Sequence, residues 1–474
     1  MVYTYIETNP QRKEDCTLKT LLIDLPTVLP VAVTKPRIQP PLWAAYLASY
    51  LATDTILDYL DARSENDACW GIREEWKVWG IPLEQLVQEI TTRQPDVVGI
   101  HVGVSTEIGL ADQLVHEMRL LERFTPRILL GGPGVALVPD EFLPNHLRGA
   151  EICRTVGFGK PLHCNLFVPL PSIDVVPERK VWWDRYEETY QRNGNFHSGP
   201  PVLSPSLQIE TSIGCGATCE FCATRGSLRR RTLQSVEAEL QALRDLGVKG
   251  VHFEDDNILA WNDQQVLEGI SYLELAVNTG FEAIEFPNGL TVRGMLNPHF
   301  LDWCAKTLSR GVRVKLALPF ECASDRVLSA VFKPHRREHC NSLVEKIQPL
   351  LYNGLVAEVF LQIGFHIAHK DGTKDGTLEM EGENTITETL QWARELDQQG
   401  LQVNCWFNSP IPGTPLFAPW RQAFPNASWE ELLFSIPSRF YHDEYRKELK
   451  QRTQEVNTAR RAAAFHPAAS SSHE

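Results

Sequence analysis

Residues 214–224 read Gly-Cys-Gly-Ala-Thr-Cys-Glu-Phe-Cys-Ala-Thr, and the rest of the chain is best read outward from them. Cys215, Cys219 and Cys222 follow the spacing C-x-x-x-C-x-x-C, while the other eight of the eleven cysteines stand singly. A zinc site wants four donors in paired spacing, and no second C-x-x-C or H-x-x-x-H pair lies nearby. Three thiolates on one tight loop suit three irons of a [4Fe–4S] cube, soft sulfur matching iron. The fourth iron is then open to chelate the amino and carboxylate groups of S-adenosylmethionine (SAM). Gly214 and Gly216 ease a backbone that wraps a cofactor closely. Phe221 is a candidate shield between the cluster and water.

Downstream, apolar runs predict strands at 206–211, 250–254, 283–286, 312–318, 357–363 and 403–407. Helical spacing fills 233–246, 263–278, 298–308, 324–331, 336–352 and 384–399. Six strand–helix units predict a partial (β/α)6 TIM-type barrel over 206–417, with its chemistry on the loops after the strands. The cysteine loop follows the first strand. Asp255 and Asp256 follow the second, Glu321 the fourth and Gly364 the fifth. The same carboxylates are also placed to cap the following helices, and Gly364 to make a turn. Arg229, Arg230 and Arg231 form either a local basic pocket or a solvated face.

Upstream, strand-like runs at 18–25, 55–60, 96–104 and 127–130 alternate with helical ones at 40–51, 83–92 and 106–123. This α/β alternation predicts a doubly wound, Rossmann-like domain over 1–160, binding ligands beyond its C-terminal strand ends. Seven prolines, from Pro161 to Pro205, mark 161–205 as a linker. Residues 418–474 read as a C-terminal helical extension ending in a disordered tail.

The formal net charge is −14, which repels phosphate backbones and makes nucleic acid an unlikely main partner. No run of 18 apolar residues is present, so no membrane span is expected. The first residues, MVYTYIETNPQRKED, lack a signal core. A cytoplasmic, reducing setting is expected, with cysteines kept as thiols or metal ligands.

With an aromatic residue before its last cysteine, the motif resembles the signature of the radical SAM superfamily, and the resemblance extends over 206–417. It implies that Cys215, Cys219 and Cys222 hold the cluster, that Asp255 and Asp256 hold the SAM amino group, and that Glu321 contacts the ribose. It also implies that the strand end 361–364, with Gly364, passes its backbone against adenine. Pro410, Pro412, Gly413 and Thr414 resemble the motif after the sixth strand. The chain departs from the pattern after Gly364, where His366 and His369 replace the usual Pro-Gly turn.

The first domain resembles the cobalamin-binding domain of the radical SAM class that includes methyltransferases and an oxidative cyclase. The likeness lies in Pro40-Pro41-Leu42, in 95–100, in Ser105-Thr106 and in Gly131-Gly132-Pro133-Gly134. It implies contacts from Ser105, Thr106, Gly131 and Gly132 to the corrin amides or the nucleotide tail. The D-x-H-x-x-G motif is absent, since Asp24-Leu25-Pro26-Thr27 follows the first strand. Cobalt would then lack a histidine from that motif.

Together these resemblances imply methylation of an unactivated carbon of a small-molecule substrate, through a 5′-deoxyadenosyl radical and methylcobalamin. An electron donor such as flavodoxin or ferredoxin is implied as a partner. Oxidative cyclisation, rearrangement, methylthio transfer and a non-enzymatic iron–sulfur module are the rivals. Trp261, His366, Trp406 and Asn408 are candidate pocket residues.

Overall fold

A computed structural model describes residues 18–33, 41–50, 55–64, 69–121, 124–154, 174–180, 183, 203–224, 226–368 and 378–463. The first domain is a five-stranded parallel sheet: β1 (Leu18–Asp24), β2 (Thr55–Asp61), β3 (Val97–His101), β4 (Arg127–Gly131) and β5 (Glu151–Ile152), in the order β2-β1-β3-β4-β5. Leu21 and Ile23 of β1 face a core with helices Leu83–Arg93 and Ile108–Arg119, while Leu22 faces helix Leu42–Tyr50. Burial on both faces explains the unbroken apolar run of β1. The strand order reverses between β1 and β3, so the ligand crevice of such a sheet lies at Asp24 and His101. An antiparallel ribbon of Thr27–Pro30, Trp76–Trp79 and Cys69–Trp70 was not expected.

The second domain is the expected open barrel. Its strands are β6 (Ser206–Ile209), β7 (Gly250–Phe253), β8 (Ala283–Phe286), β9 (Arg313–Glu321), β10 (Val356–Ile363) and β11 (Gln402–Phe407), parallel and in sequential order. Helices such as Leu233–Asp245 and Asp263–Thr279 return the chain between them. Among the described residues, no helix is long and apolar enough to cross a membrane.

Residues after 417 do not form a separate appendage. Phe417, Trp420, Trp429 and Leu432 lie in the first domain's core. Leu449 and Val456, on helix Asp443–Ala463, lie in the barrel core. Asn457 accepts the Cys405 N–H at 2.9 Å and donates back to the Cys405 carbonyl at 3.0 Å. The predicted tail, 469–474, and most of the predicted linker lie outside the described residues. Of the linker, Arg179 and Trp183 are buried.

Arg231 is neither a solvated face nor part of a basic pocket. It is 3% exposed. Its Nη1 donates at 2.9 Å to Tyr46 Oη in the first domain and at 2.9 Å to the Glu210 carbonyl, and it pairs with Glu239. Arg179 approaches Glu239 from the other side, with Nε 2.9 Å from Oε1, and donates to the Gln208 carbonyl at 2.6 Å. Glu239 is completely buried between the two guanidiniums.

Removing one member of such a cluster strands the others without water. Glu239→Ala is expected to cost about 3–5 kcal/mol of stability, and Glu239→Gln less. Urea denaturation of each variant measures it, and a loss below about 1 kcal/mol would contradict the clamp.

Candidate active site at the barrel mouth

The cysteine loop is shaped by its backbone. Gly214 and Gly216 sit at φ of 86° and 77°. A Cβ on Gly214 would fall 2.5 Å from the Ser227 carbonyl oxygen, and one on Gly216 would fall 2.9 Å from Trp261 Nε1. Neighbouring segments pin the loop. Gly214 N–H donates to Asp256 Oδ2 at 2.9 Å, Trp261 Nε1–H to the Cys215 carbonyl at 2.6 Å, and Glu220 N–H to the Val331 carbonyl at 3.0 Å.

Cys215, Cys219 and Cys222 line one cavity of about 260 Å³, with Phe221, Asp256, Trp261, Asn288, Glu321 and Lys333 also on its wall. Among the described residues, no three His, Cys, Asp or Glu side chains are gathered tightly enough for a single metal ion. A cube binds each thiolate to a different iron, so sulfurs distributed around a cavity fit it. Burial raises all three thiols above the ordinary cysteine range, Cys222 to about 11. Ligation therefore has to displace their protons. A larger cleft of about 600 Å³ lies at the β5 edge between Asp140 and Arg154, away from these donors.

The two adjacent aspartates separate. Asp256 faces the cavity. Asp255 is 2% exposed and accepts from Thr211 N–H at 3.2 Å and Thr211 Oγ1 at 2.7 Å, tying β7 to the segment before the cysteines. Glu321 lines the cavity, its Oε1 2.6 Å from Lys333 Nζ and its Oε2 accepting from Gln362 Nε2 at 2.7 Å. Gly364, at φ 73°, is not on the cavity wall; its N–H donates to Glu381 at 2.7 Å. Phe221 packs edge-on to Phe365 at 5.5 Å and lies under the Lys333 ammonium.

Trp261 is on the wall and Trp406 is 36% exposed, whereas His366 and Asn408 are buried. His366 bridges Asn408 Oδ1 at 3.3 Å and Ser438 Oγ at 2.9 Å. His369 lies outside the described residues.

Sequence reading missed Lys333. Burial works against its charge, but Glu321 outweighs that and holds the ammonium well above its ordinary pKa. Local backbone strain is the structural signal. Among the described residues, four non-glycine residues have left-handed backbone; Glu321 is on the cavity wall, and Ala260 and Phe332 each immediately precede a wall residue, Trp261 and Lys333. Each costs about 1–3 kcal/mol, and such costs gather at functional sites.

At the first domain's crevice, Gly132 adopts φ 100°, and a Cβ there would fall 2.4 Å from the Val102 carbonyl oxygen. Gly131 ends β4, and Ser105 and Thr106 form the turn after β3. Thr106 Oγ1 and His101 Nε2 are buried without a hydrogen-bond partner among the described residues. Each such atom costs about 1–3 kcal/mol unless a ligand completes it, so the crevice fits a polar organic cofactor. Glu107 caps the turn, accepting from Gly103 N–H at 2.9 Å, and burial pushes its carboxyl up to about 7.

Residues 29–157 match the B12 binding domain family. The fold is similar to radical SAM methyltransferase TsrM from Kitasatospora setae, at TM-score 0.53 and 16% identity, covering 85% of this chain and 76% of that one. It is also similar to the cobalamin-dependent SAM radical enzyme OxsB, at TM-score 0.53 and 12% identity, covering 87% and 56%. The tRNA-2-methylthio-N(6)-dimethylallyladenosine synthase of Hydrogenobaculum sp. (strain Y04AAS1) is 27% identical over 301 residues, 58% of this chain and 63% of that protein. One from Cereibacter sphaeroides is 30% identical over 190 residues, 38% of this chain and 40% of that protein. The chain spans between about a third and two thirds of the length of such curated relatives. The chain thus has the two-domain fold of TsrM and OxsB, with a first domain that matches the B12 binding domain family.

Lys333→Met is expected to lower the midpoint potential of a reconstituted cluster by tens of millivolts, because removing a nearby cation disfavours the reduced state. A redox titration followed by electron paramagnetic resonance (EPR) measures it. An unchanged potential would remove Lys333 from the cluster's electrostatics.

Proposed function

We propose that this protein is a cobalamin-dependent radical SAM enzyme that methylates an unactivated carbon of a small-molecule substrate. The observation that carries the reading is the convergence of Cys215, Cys219 and Cys222 with Asp256, Glu321 and Lys333 on one cavity, in a chain that also has a B12 binding domain. The three cysteines would hold a [4Fe–4S] cluster, which when bound supplies the electron for reductive SAM cleavage. Asp256 receives the SAM ammonium, and Glu321, oriented by Gln362, receives the ribose hydroxyls. Lys333 holds the Glu321 carboxylate in place. Asp255 acts one step back, by fixing the strand end from which the cysteine loop departs.

Gly131, Gly132, Ser105 and Thr106 bound the crevice that would hold the corrinoid, which supplies the methyl-transfer chemistry. Phe221, packed against Phe365, makes its part of the cavity wall apolar and keeps water from it. Trp406, on β11, is the aromatic surface offered to substrate. A small ferredoxin- or flavodoxin-type protein is the electron donor in this reading, acting in the cytoplasm. The relatives' methylthio transfer is the weaker reading, because a B12 binding domain occupies residues 29–157.

Incubation without oxygen, with SAM, a reductant and cobalamin, tests the proposal. The native protein is expected to release 5′-deoxyadenosine, and the triple variant Cys215→Ala, Cys219→Ala, Cys222→Ala to fall to background. With substrate, a methylated product and S-adenosylhomocysteine should appear together. A cyclised or sulfur-bearing product would refute methylation, and 5′-deoxyadenosine from the triple variant would refute the cluster assignment.

A further inference from the structure

The first domain carries a buried polar cluster where its strand order reverses. Asp24 ends β1 and is in register with Asp61 of β2 and His101 of β3. Asp24 Oδ1 lies 2.5 Å from His101 Nδ1. Asp24 Oδ2 accepts from Tyr59 Oη–H, from Arg63 Nη2 at 3.0 Å and from Trp43 Nε1 at 3.3 Å. Arg63 also grips Asp61, with Nε 2.8 Å from Oδ1. The Trp43 ring stacks on the His101 ring, centroids 4.5 Å apart at 23°. The imidazole is thus held in one orientation by a carboxylate on one nitrogen and an indole on its face.

The other nitrogen, Nε2, is buried and has no hydrogen-bond partner among the described residues. Its direction follows from the glycines on either side. A Cβ on Gly103 would stand 3.5 Å from His101 Cε1, and one on Gly132 would stand 2.8 Å from Cδ2. Nε2 lies between those two carbons, so it points into the gap between the loops that leave β3 and β4. Neither glycine places a side chain in that gap. A second unpartnered atom, Thr106 Oγ1, belongs to the turn that begins two residues after Gly103.

The geometry points to His101, oriented by Asp24, as the residue that binds the nucleotide tail of the cobalamin. The inference rests on the reading of residues 29–157 as a cobalamin-binding domain. Burial decides between the two parts of the cofactor. A corrin is a broad plate and does not reach a ring atom enclosed between two loops. A slender arm of phosphate, ribose and base enters such a crevice at a strand-order reversal, as nucleotides do in other doubly wound sheets. Because Nδ1–H is donated to the Asp24 carboxylate, Nε2 is an acceptor, and the ribose hydroxyls of the tail would be donors suited to it. Asp24 has no contact with the tail in this arrangement and is a positioning residue.

Cobinamide, a corrinoid without the nucleotide tail, supplies the test. The full-length protein is titrated with cobalamin and with cobinamide, and binding is followed by visible absorption. The native protein is expected to bind cobalamin about tenfold or more tightly than cobinamide. His101→Ala should lose most of that preference by weakening cobalamin and leaving cobinamide unchanged. His101→Gln should retain part of it, and Asp24→Asn should weaken cobalamin in the same direction. Circular dichroism checks that each variant is folded. If His101→Ala is not folded, the native protein's preference and the EPR measurement below decide the matter. Equal native affinity for the two corrinoids would overturn the inference, as would equal weakening of both by His101→Ala. The EPR spectrum of bound cob(II)alamin is expected to show no nitrogen splitting that changes on 15N-histidine labelling. Such a splitting would make His101 a cobalt ligand and overturn the tail assignment. Failure of the folded native protein to bind either corrinoid would refute the cobalamin reading itself.

Discussion

The two domains are joined through a buried carboxylate. Glu239, on the first barrel helix, is enclosed by Arg179 from the inter-domain segment and Arg231 from the end of the cysteine loop, and Arg231 continues to Tyr46 of the first domain. Two guanidiniums without water need that carboxylate, and the carboxylate needs both of them. Tyr46 lies one helical turn from Trp43, which stacks on His101 at the first domain's crevice. One helix therefore connects the first domain's crevice to the segment that carries the cysteines. The arrangement of the two sites depends on charge pairing that tolerates little displacement.

Within the barrel, a continuous set of side-chain hydrogen bonds extends from the cavity to the C-terminal segment. It runs from Lys333 to Glu321, Gln362, Asn408, His366 and Ser438. Burial holds His366 at a lowered pKa of about 4, so at neutral pH it serves this chain as a neutral ring. The C-terminal residues thus support the mouth of the barrel as well as covering its side. The left-handed backbone at Glu321 sits within these pairings.

Much of the fold could be read from the order of apolar runs. Parallel strands buried on both faces leave unbroken Val, Ile and Leu segments, and among the described residues the eleven strands of the two parallel sheets, except the short β5, were anticipated from such segments or their flanks. Features that depend on distant partners were not legible. The ribbon built on Trp76–Trp79 pairs with residues nearly fifty positions earlier. Trp420 and Trp429 fall in a stretch that reads as helical and charged, and only the fold shows the first domain's core receiving them. Asp255 and Asp256 are identical in chemistry and adjacent in sequence. Only the direction in which each leaves the end of β7 makes one a tie to Thr211 and the other part of the cavity wall.

The sequence by itself determined the three cysteines and their spacing, the two α/β domains and the absence of a D-x-H-x-x-G histidine. These are local properties, written in spacing and in hydrophobic period. The tertiary structure decided which charged residues meet. Lys333 pairs with Glu321 across 12 positions, His101 with Asp24 across 77, and Arg231 with Tyr46 across 185. Register between parallel strands and the closure of the chain around a buried charge bring such residues together. The energy of a buried ion pair depends on that meeting and on the exclusion of water, neither of which is encoded at either residue alone.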